Sequence, residues 1–244
     1  MITFIINAIK IIFLLGFLVF IHEGGHFLVA KLFKVKVNEF SIGFGPSIWK
    51  KQGKETKYNL RLLPLGGFVD LEGEQGNSDS ENSFSKASIP KRMAIVLAGP
   101  VVNIIFGIVV YFLLMLFIKS DFSVALFQTK EFLTSMFEGI RMLFTGQVGV
   151  NDFMGPVGIS EVVVSTTRVV DYIYILALIS LSLGITNLLP IPALDGGKLF
   201  LIIIEAIRRK KISEKVEMNI GLIGFSLLII LSLYVTYNDI LRIL

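Results

Sequence analysis

Cysteine is absent from the 244 residues, and histidine occurs only twice. No disulfide framework and no thiolate metal site can be built from such a chain. Charge is also scarce: Asp, Glu, Lys and Arg make up 17% of the residues, against about 25% in an ordinary globular domain. Hydrophobic residues make up 54%, and several runs approach or exceed the ~18–20 apolar residues needed to cross a bilayer. A soluble domain is excluded, and an integral membrane protein is expected. The few basic residues are not interleaved with a solvent-facing aromatic surface, so nucleic acid is not an expected partner. The apolar start has no basic leader region and no A-x-A-like cleavage site, so it reads as a retained span.

The apolar runs define an all-α polytopic membrane protein of four spans in a single domain, 1–244. They cover about Thr3 to Val29, Met93 to Ile118, Tyr172 to Ile207 and Ile220 to Val235. The third is interrupted by "NLLPIPALDGG", Asn187 to Gly197, with two prolines and two glycines. Proline inside a helix removes a hydrogen bond and clashes with the preceding turn. Irregular backbone at membrane depth survives only where it is buried in protein or lines a cavity. A polar cavity is expected at the break.

The segments between spans orient them. Lys31 to Arg92 holds eleven Lys and Arg, and Lys198 to Lys215 holds six. Lys119 to Asp171 holds four against six acids. The positive-inside rule places the first and third segments in the cytoplasm, with both termini outside. Within the first, residues 36–71 alternate apolar and polar around "KQGKE" and predict a cytoplasmic, membrane-associated β-hairpin. Residues 72–90 are rich in Ser, Asn, Glu and Gly and predict a flexible linker. In the outer segment, Phe132, Leu133, Met136, Phe137, Ile140, Leu143 and Phe144 recur at helical spacing. They predict an extracytoplasmic amphipathic helix over about 130–145, lying on the membrane or packed on neighbouring helix ends.

Both histidines fall in "HEGGH", His22 to His26, at the end of the first span. On a helix they project from one face, so two imidazole nitrogens can reach one ion. Glu23 points to an adjacent part of that face, placed to act as general base on water. This is the H-E-x-x-H arrangement, which suits zinc. Three ionisable groups in an apolar segment are costly and usually functional. Gly24 and Gly25 each cost about 1 kcal/mol in a helix, which suggests that they leave room for an approaching backbone. A third ligand must be a carboxylate. Asp195, the only acid in the interrupted part of the third span, is the leading candidate, with the glycines after it expected to let the backbone turn and present it. Glu205 is the alternative, although an ion pair with the adjacent "RRKK" accounts for it better.

Together, "HEGGH", "GPVVN" at Gly99 to Asn103, "GPVGI" at Gly155 to Ile159 and "NLLPIPALDGG" resemble the site-2 protease family of intramembrane zinc metalloproteases. The closest resemblance is to its bacterial branch that cleaves anti-sigma factors, and it covers nearly the whole chain. It implies a zinc metalloendopeptidase of the bacterial cell membrane with its active site toward the cytoplasm, one Zn2+ held by His22, His26 and Asp195, and water activated by Glu23. It further implies substrate contacts from Asn187, Asn103, Gly66 and Gly67. The hairpin's edge strand would clamp unwound substrate by strand addition. Family substrates are single-span membrane proteins, anti-sigma factors or remnant signal peptides among them. Many relatives carry a PDZ domain between the second and third spans, but here that segment is too short to hold one beside the amphipathic helix. Two other functions fit some of these features: a transporter or channel with an intramembrane ion site, and a non-proteolytic relative that binds membrane proteins. The intact Glu23 argues against the second.

Overall fold

The computed structural model describes residues 2–74, 76, 78–149 and 154–243. In chain order the elements are α1 (Ile2–Leu32), β1 (Val37–Gln52), β2 (Lys57–Leu71), a short 3-10 turn (Phe84–Lys86), α2 (Ile89–Lys119), α3 (Phe122–Phe144), α4 (Pro156–Ser165), α5 (Val169–Asn187), α6 (Asp195–Arg208) and α7 (Glu214–Ile243). Four helical stretches are long and apolar enough to cross a membrane: Ile5–Leu32, Ile89–Lys119, Val169–Asn187 and Glu214–Arg242. Even the shortest, at 19 residues, extends about 28 Å at 1.5 Å per residue, close to the bilayer's hydrocarbon thickness. The protein is a membrane protein. The break predicted in the third run separates α5, itself long enough to span, from the 14-residue α6.

The chain divides into two compact units. One comprises Ile12–Asn103 and Leu183–Phe225, the other Met1–Ile11, Ile104–Ser182 and Ser226–Leu244. The core of the first is a cluster of Ala30, Val35, Val37, Leu71, Phe84, Ile95, Val96 and Ile202. It joins the end of α1, both strands, the start of α2 and α6 around one apolar centre. The burial of these side chains is what holds the ends of the strands against the helices that carry the polar residues.

The predicted hairpin is present but is not a simple two-strand ladder. Glu39 to Ile42 pair with Asp70 to Gly67 on one side and with Lys57 to Leu60 on the other. Lys57 to Leu60 in turn pair with Gln52 to Trp49. Both strands therefore bend back, giving a sheet whose segments lie in the order 67–71, 37–42, 57–60, 49–52. Gly43 and Gly45 sit at positive φ near the bend of β1, a conformation that glycine adopts without a Cβ penalty. Gly67 to Leu71 form an outer segment of this sheet.

The segment that composition reads as a linker is tethered. Phe84 is buried in the core cluster, the Phe84 amide donates to Glu72 O at 2.7 Å, and the Lys36 amide donates to Asn82 O at 2.9 Å. Ser78 Oγ donates to Glu72 Oε1 at 2.6 Å. One aromatic side chain suffices to anchor a polar stretch that has little else to bury. Gln75 and Asn77 of this segment lie outside the described residues.

In the second unit, α3 starts earlier than its apolar stripe predicts, because Asp121 caps it by accepting the Val124 amide at 3.0 Å. Phe132 is buried and stacks on Tyr111 of α2 at 4.0 Å between ring centroids, whereas Phe137 stays exposed. Asp239 of α7 is buried and accepts from the Gly155 and Gly158 amides at 3.2 and 2.8 Å. Two amides at the start of α4 are thereby satisfied. Lys10 Nζ donates to Thr166 O at 2.9 Å, and Tyr172 Oη donates to Lys10 O at 2.8 Å. The apolar run of α1 thus accommodates Lys10, its only charged residue before Glu23.

Candidate metal centre

His22 and His26 lie one turn apart on α1, their ring centroids 5.0 Å apart. His26 Nδ1–H donates to Ile95 O of α2 at 2.8 Å. A carbonyl can only accept, so in the neutral imidazole this bond leaves the lone pair of His26 on Nε2. Asp195 is the first residue of α6, where the positive end of the helix dipole favours an ionised carboxylate. Asp195 Oδ2 lies 3.0 Å from His22 Nε2 and 3.4 Å from His26 Nε2, and the two Nε2 atoms are 3.3 Å apart.

These three atoms form a nearly equilateral triangle. With the imidazoles neutral, as metal ligation requires, hydrogen bonding does not account for all of it, since the His26 Nε2 lone pair then faces the carboxylate oxygen. Around a tetrahedral ion with bonds of about 2.0–2.1 Å, adjacent ligand atoms are about 3.3–3.5 Å apart. Two imidazole nitrogens and one carboxylate oxygen with this spacing fit a zinc-type ion in both donor chemistry and size. They form the one group of three or more such donors found among the described residues, with all ligand atoms within 4.8 Å.

The donors line a cavity of about 260 Å³ that also takes in Glu23, Asn187 and Gly67. A Cβ added to Gly67 would meet Ser41 O at 2.8 Å and Glu23 Cγ at 3.1 Å. The outer sheet segment therefore passes directly over the glutamate. Asn187 closes α5, and its Nδ2 donates to Leu183 O at 3.0 Å. The other two residues expected at the substrate are placed differently. Asn103 is fully buried in α2 and is not among the residues lining this cavity. Gly66 precedes the lining segment, and the Phe44 ring occupies the space of its missing side chain.

Glycines shape the centre by close packing. A Cβ on Gly25 would lie 2.6 Å from Ala98 O, and one on Gly99 would overlap the His26 ring. Helix α2 thus approaches so closely that its Ile95 carbonyl reaches His26. Gly24 has nothing within 4 Å and serves no such contact. Gly196 and Gly197 are helical residues of α6, not turn residues as expected. A Cβ on either would strike the backbone of Leu188, Leu189 or Ile191, so they allow the first turn of α6 to lie against the proline-rich segment. The reversal itself falls on Ala193, at φ 73°.

Glu205 is not a ligand. Arg92 Nη2 donates to its Oε2 at 2.5 Å and the Ile212 amide to its Oε1 at 2.9 Å. Its partner is thus a buried arginine of α2, not the neighbouring basic run. Sequence reasoning also missed Glu74 and Lys198, which pair with each other and line the cavity. Lys198 follows Asp195 by three positions, so helical spacing already placed it on the same side of α6. Glu74 lies in the polar stretch after β2 and carries no such signal.

The chain matches the model of peptidase family M50 over residues 10–231. A presumed zinc metalloprotease of Clostridium acetobutylicum is 29% identical over 332 aligned positions, covering 96% of this chain and 97% of the relative. The zinc metalloprotease RasP of Bacillus licheniformis is 24% identical over 414 positions, covering 97% of this chain and 99% of the relative. Both alignments are longer than the chain's 244 residues, so these relatives carry stretches that this chain lacks. The match runs through "HEGGH" and the proline-rich break alike, and with the resemblance of those motifs to the site-2 proteases it makes this chain a member of peptidase family M50.

Proposed function

We propose that this protein is an intramembrane zinc metalloendopeptidase that hydrolyses single-span membrane substrates of the anti-sigma-factor or remnant-signal-peptide type. The observation that carries the reading is the triangle of His22, His26 and Asp195 donors beside Glu23 in one cavity, with both histidines and Glu23 on a helix long and apolar enough to cross a bilayer. A zinc ion held by these three residues supplies Lewis-acid polarisation of a carbonyl and acidifies water.

The remaining roles belong to the chain. The Glu23 carboxylate takes the proton of the attacking water and returns it to the leaving amine. Substrate backbone lies along Gly67 to Leu71, the outer sheet segment, and pairs with it as an added strand. That pairing offsets part of the cost of unwinding a helical substrate. Asn187 orients a substrate carbonyl at the cavity wall. The distribution of Lys and Arg supports a topology with the cavity and the sheet on the cytoplasmic side and both termini outside.

The test is cleavage of a short single-span substrate by the purified protein in detergent, beside Glu23→Gln. Cleavage by the native chain alone, abolished by a chelator and restored by zinc, is expected. Equal cleavage by Glu23→Gln, or a purified chain that binds no stoichiometric metal, would overturn the reading.

A further inference from the structure

Beside the donor cavity lies a second cavity of about 550 Å³, lined by Arg92, Glu205, Lys211, Glu214 and Glu217 among others. It is a polar vestibule. Two residues, Glu74 and Lys198, line both spaces. Residues shared by adjoining cavities form the wall between them, and here the wall is an ion pair.

The pair is fixed from both sides. Lys198 Nζ donates to Glu74 Oε1 and lies 4.8 Å from the centre of the buried Phe84 ring. The other carboxylate oxygen of Glu74 accepts the Leu71 amide at 3.4 Å. One partner therefore belongs to the end of the outer sheet segment, and the other to the helix that presents Asp195. Both side chains are about one-fifth exposed, 22% for Glu74 and 23% for Lys198. An ion pair of that exposure is screened less than a surface pair, yet it can be opened without stranding a charge in apolar surroundings.

We propose that the Glu74–Lys198 pair is the gate between the vestibule and the donor cavity, and that it sets the rate at which water and hydrophilic solutes reach the centre. Hydrolysis consumes one water per bond, and the side of the donor cavity that faces the vestibule is the Glu74–Lys198 pair, with the apolar Val69, Leu71, Ile95 and Val96 also in its lining. The proposal rests on the metallopeptidase reading for its purpose, but its geometry stands apart from any activity.

The absence of native cysteine makes the test clean. A Val69→Cys thiol lines the donor cavity, and a Leu201→Cys thiol lines only the vestibule. Each is placed in the full-length protein in detergent and reacted with a negatively charged methanethiosulfonate. With the pair intact, the Val69→Cys thiol should react slowly. Glu74→Gln or Lys198→Met should speed it about tenfold, and the exchanged pair Glu74→Lys with Lys198→Glu should restore the slow rate. The Leu201→Cys thiol should react alike in every background. Extraction of bound metal by a hydrophilic chelator should accelerate in parallel. Unchanged labelling at position 69 in the broken pairs would overturn the gate, as would equal acceleration at both positions, which means general loosening. Gated labelling without peptide cleavage would instead count against the metallopeptidase reading alone.

Discussion

His22 Nε2 stands 3.0 Å from Asp195 Oδ2, although 173 positions of sequence separate the two residues. The centre therefore exists only when α1 and α6 are held together. Loss of one of three donors should weaken metal binding by more than the ~10–100-fold typical of a residue that only orients a ligand. His22→Ala, His26→Ala and Asp195→Asn should each purify folded with far less than one zinc per chain, measured by elemental analysis. Full occupancy in any of them would remove that residue from the donor set.

Adjacent glycines at the centre should respond oppositely to one methyl group. Gly25→Ala places a Cβ against the Ala98 carbonyl and should cost about 1–3 kcal/mol, as overpacking does. Gly24→Ala meets nothing within 4 Å and should gain up to about 1 kcal/mol from helix propensity. Thermal unfolding in detergent reads both, and equal shifts would refute the close contact between α1 and α2.

Arg92 and Glu205 form an ion pair with side chains only 10% and 9% exposed. Removing one partner leaves a buried charge, so Arg92→Met should cost about 3–5 kcal/mol. The double variant Arg92→Met with Glu205→Leu should recover most of that loss. A double variant as unstable as the single one would show that the arginine acts through packing and not through charge.

Glu39 should make the sheet sensitive to acid. Burial pushes its carboxyl up, but hydrogen bonds from Arg61 and Lys57 outweigh this and hold it below the ordinary value of 4.5. Arg61 Nη2 donates to it at 2.6 Å and Lys57 Nζ at 3.3 Å. Because the folded value lies below the unfolded one, this stabilisation is complete above about pH 4.5 and is lost as pH falls through the folded value. The single tryptophan, Trp49, sits in the same sheet. Denaturant midpoints followed by its fluorescence should hold from pH 6 to about pH 4.5 and drop as pH falls below that, and Glu39→Gln should flatten that drop. A native-like drop in the variant would assign the acid sensitivity to another group.

The four spans and the break at Asn187 to Gly197 were legible because each rests on a local rule: run length against bilayer thickness, or proline against helix geometry. "HEGGH" was legible for the same reason, since helical spacing alone puts both histidines on one face. The double bend of the sheet was not, because strand alternation gives period but not partner, and one segment can pair on both sides. The anchoring of residues 72–90 by Phe84 was equally hidden, as composition averages away a single aromatic residue. Burial was hidden too: Asn103, a polar residue in a motif, lies fully buried in α2, which no local pattern predicts.

By itself, then, the sequence determined that this is a membrane protein carrying two histidines and a glutamate poised on one helix, and a carboxylate at a broken span. Those features follow from short-range geometry and from hydrophobicity. Only the tertiary structure decided that Asp195 lies against both histidines while Glu205 pairs with Arg92, that Ile95 accepts from His26, and that Glu74 meets Lys198 at the cavity wall. Each of these depends on which helices touch and at what distance, and contacts between residues distant in sequence are set by packing that no local pattern encodes.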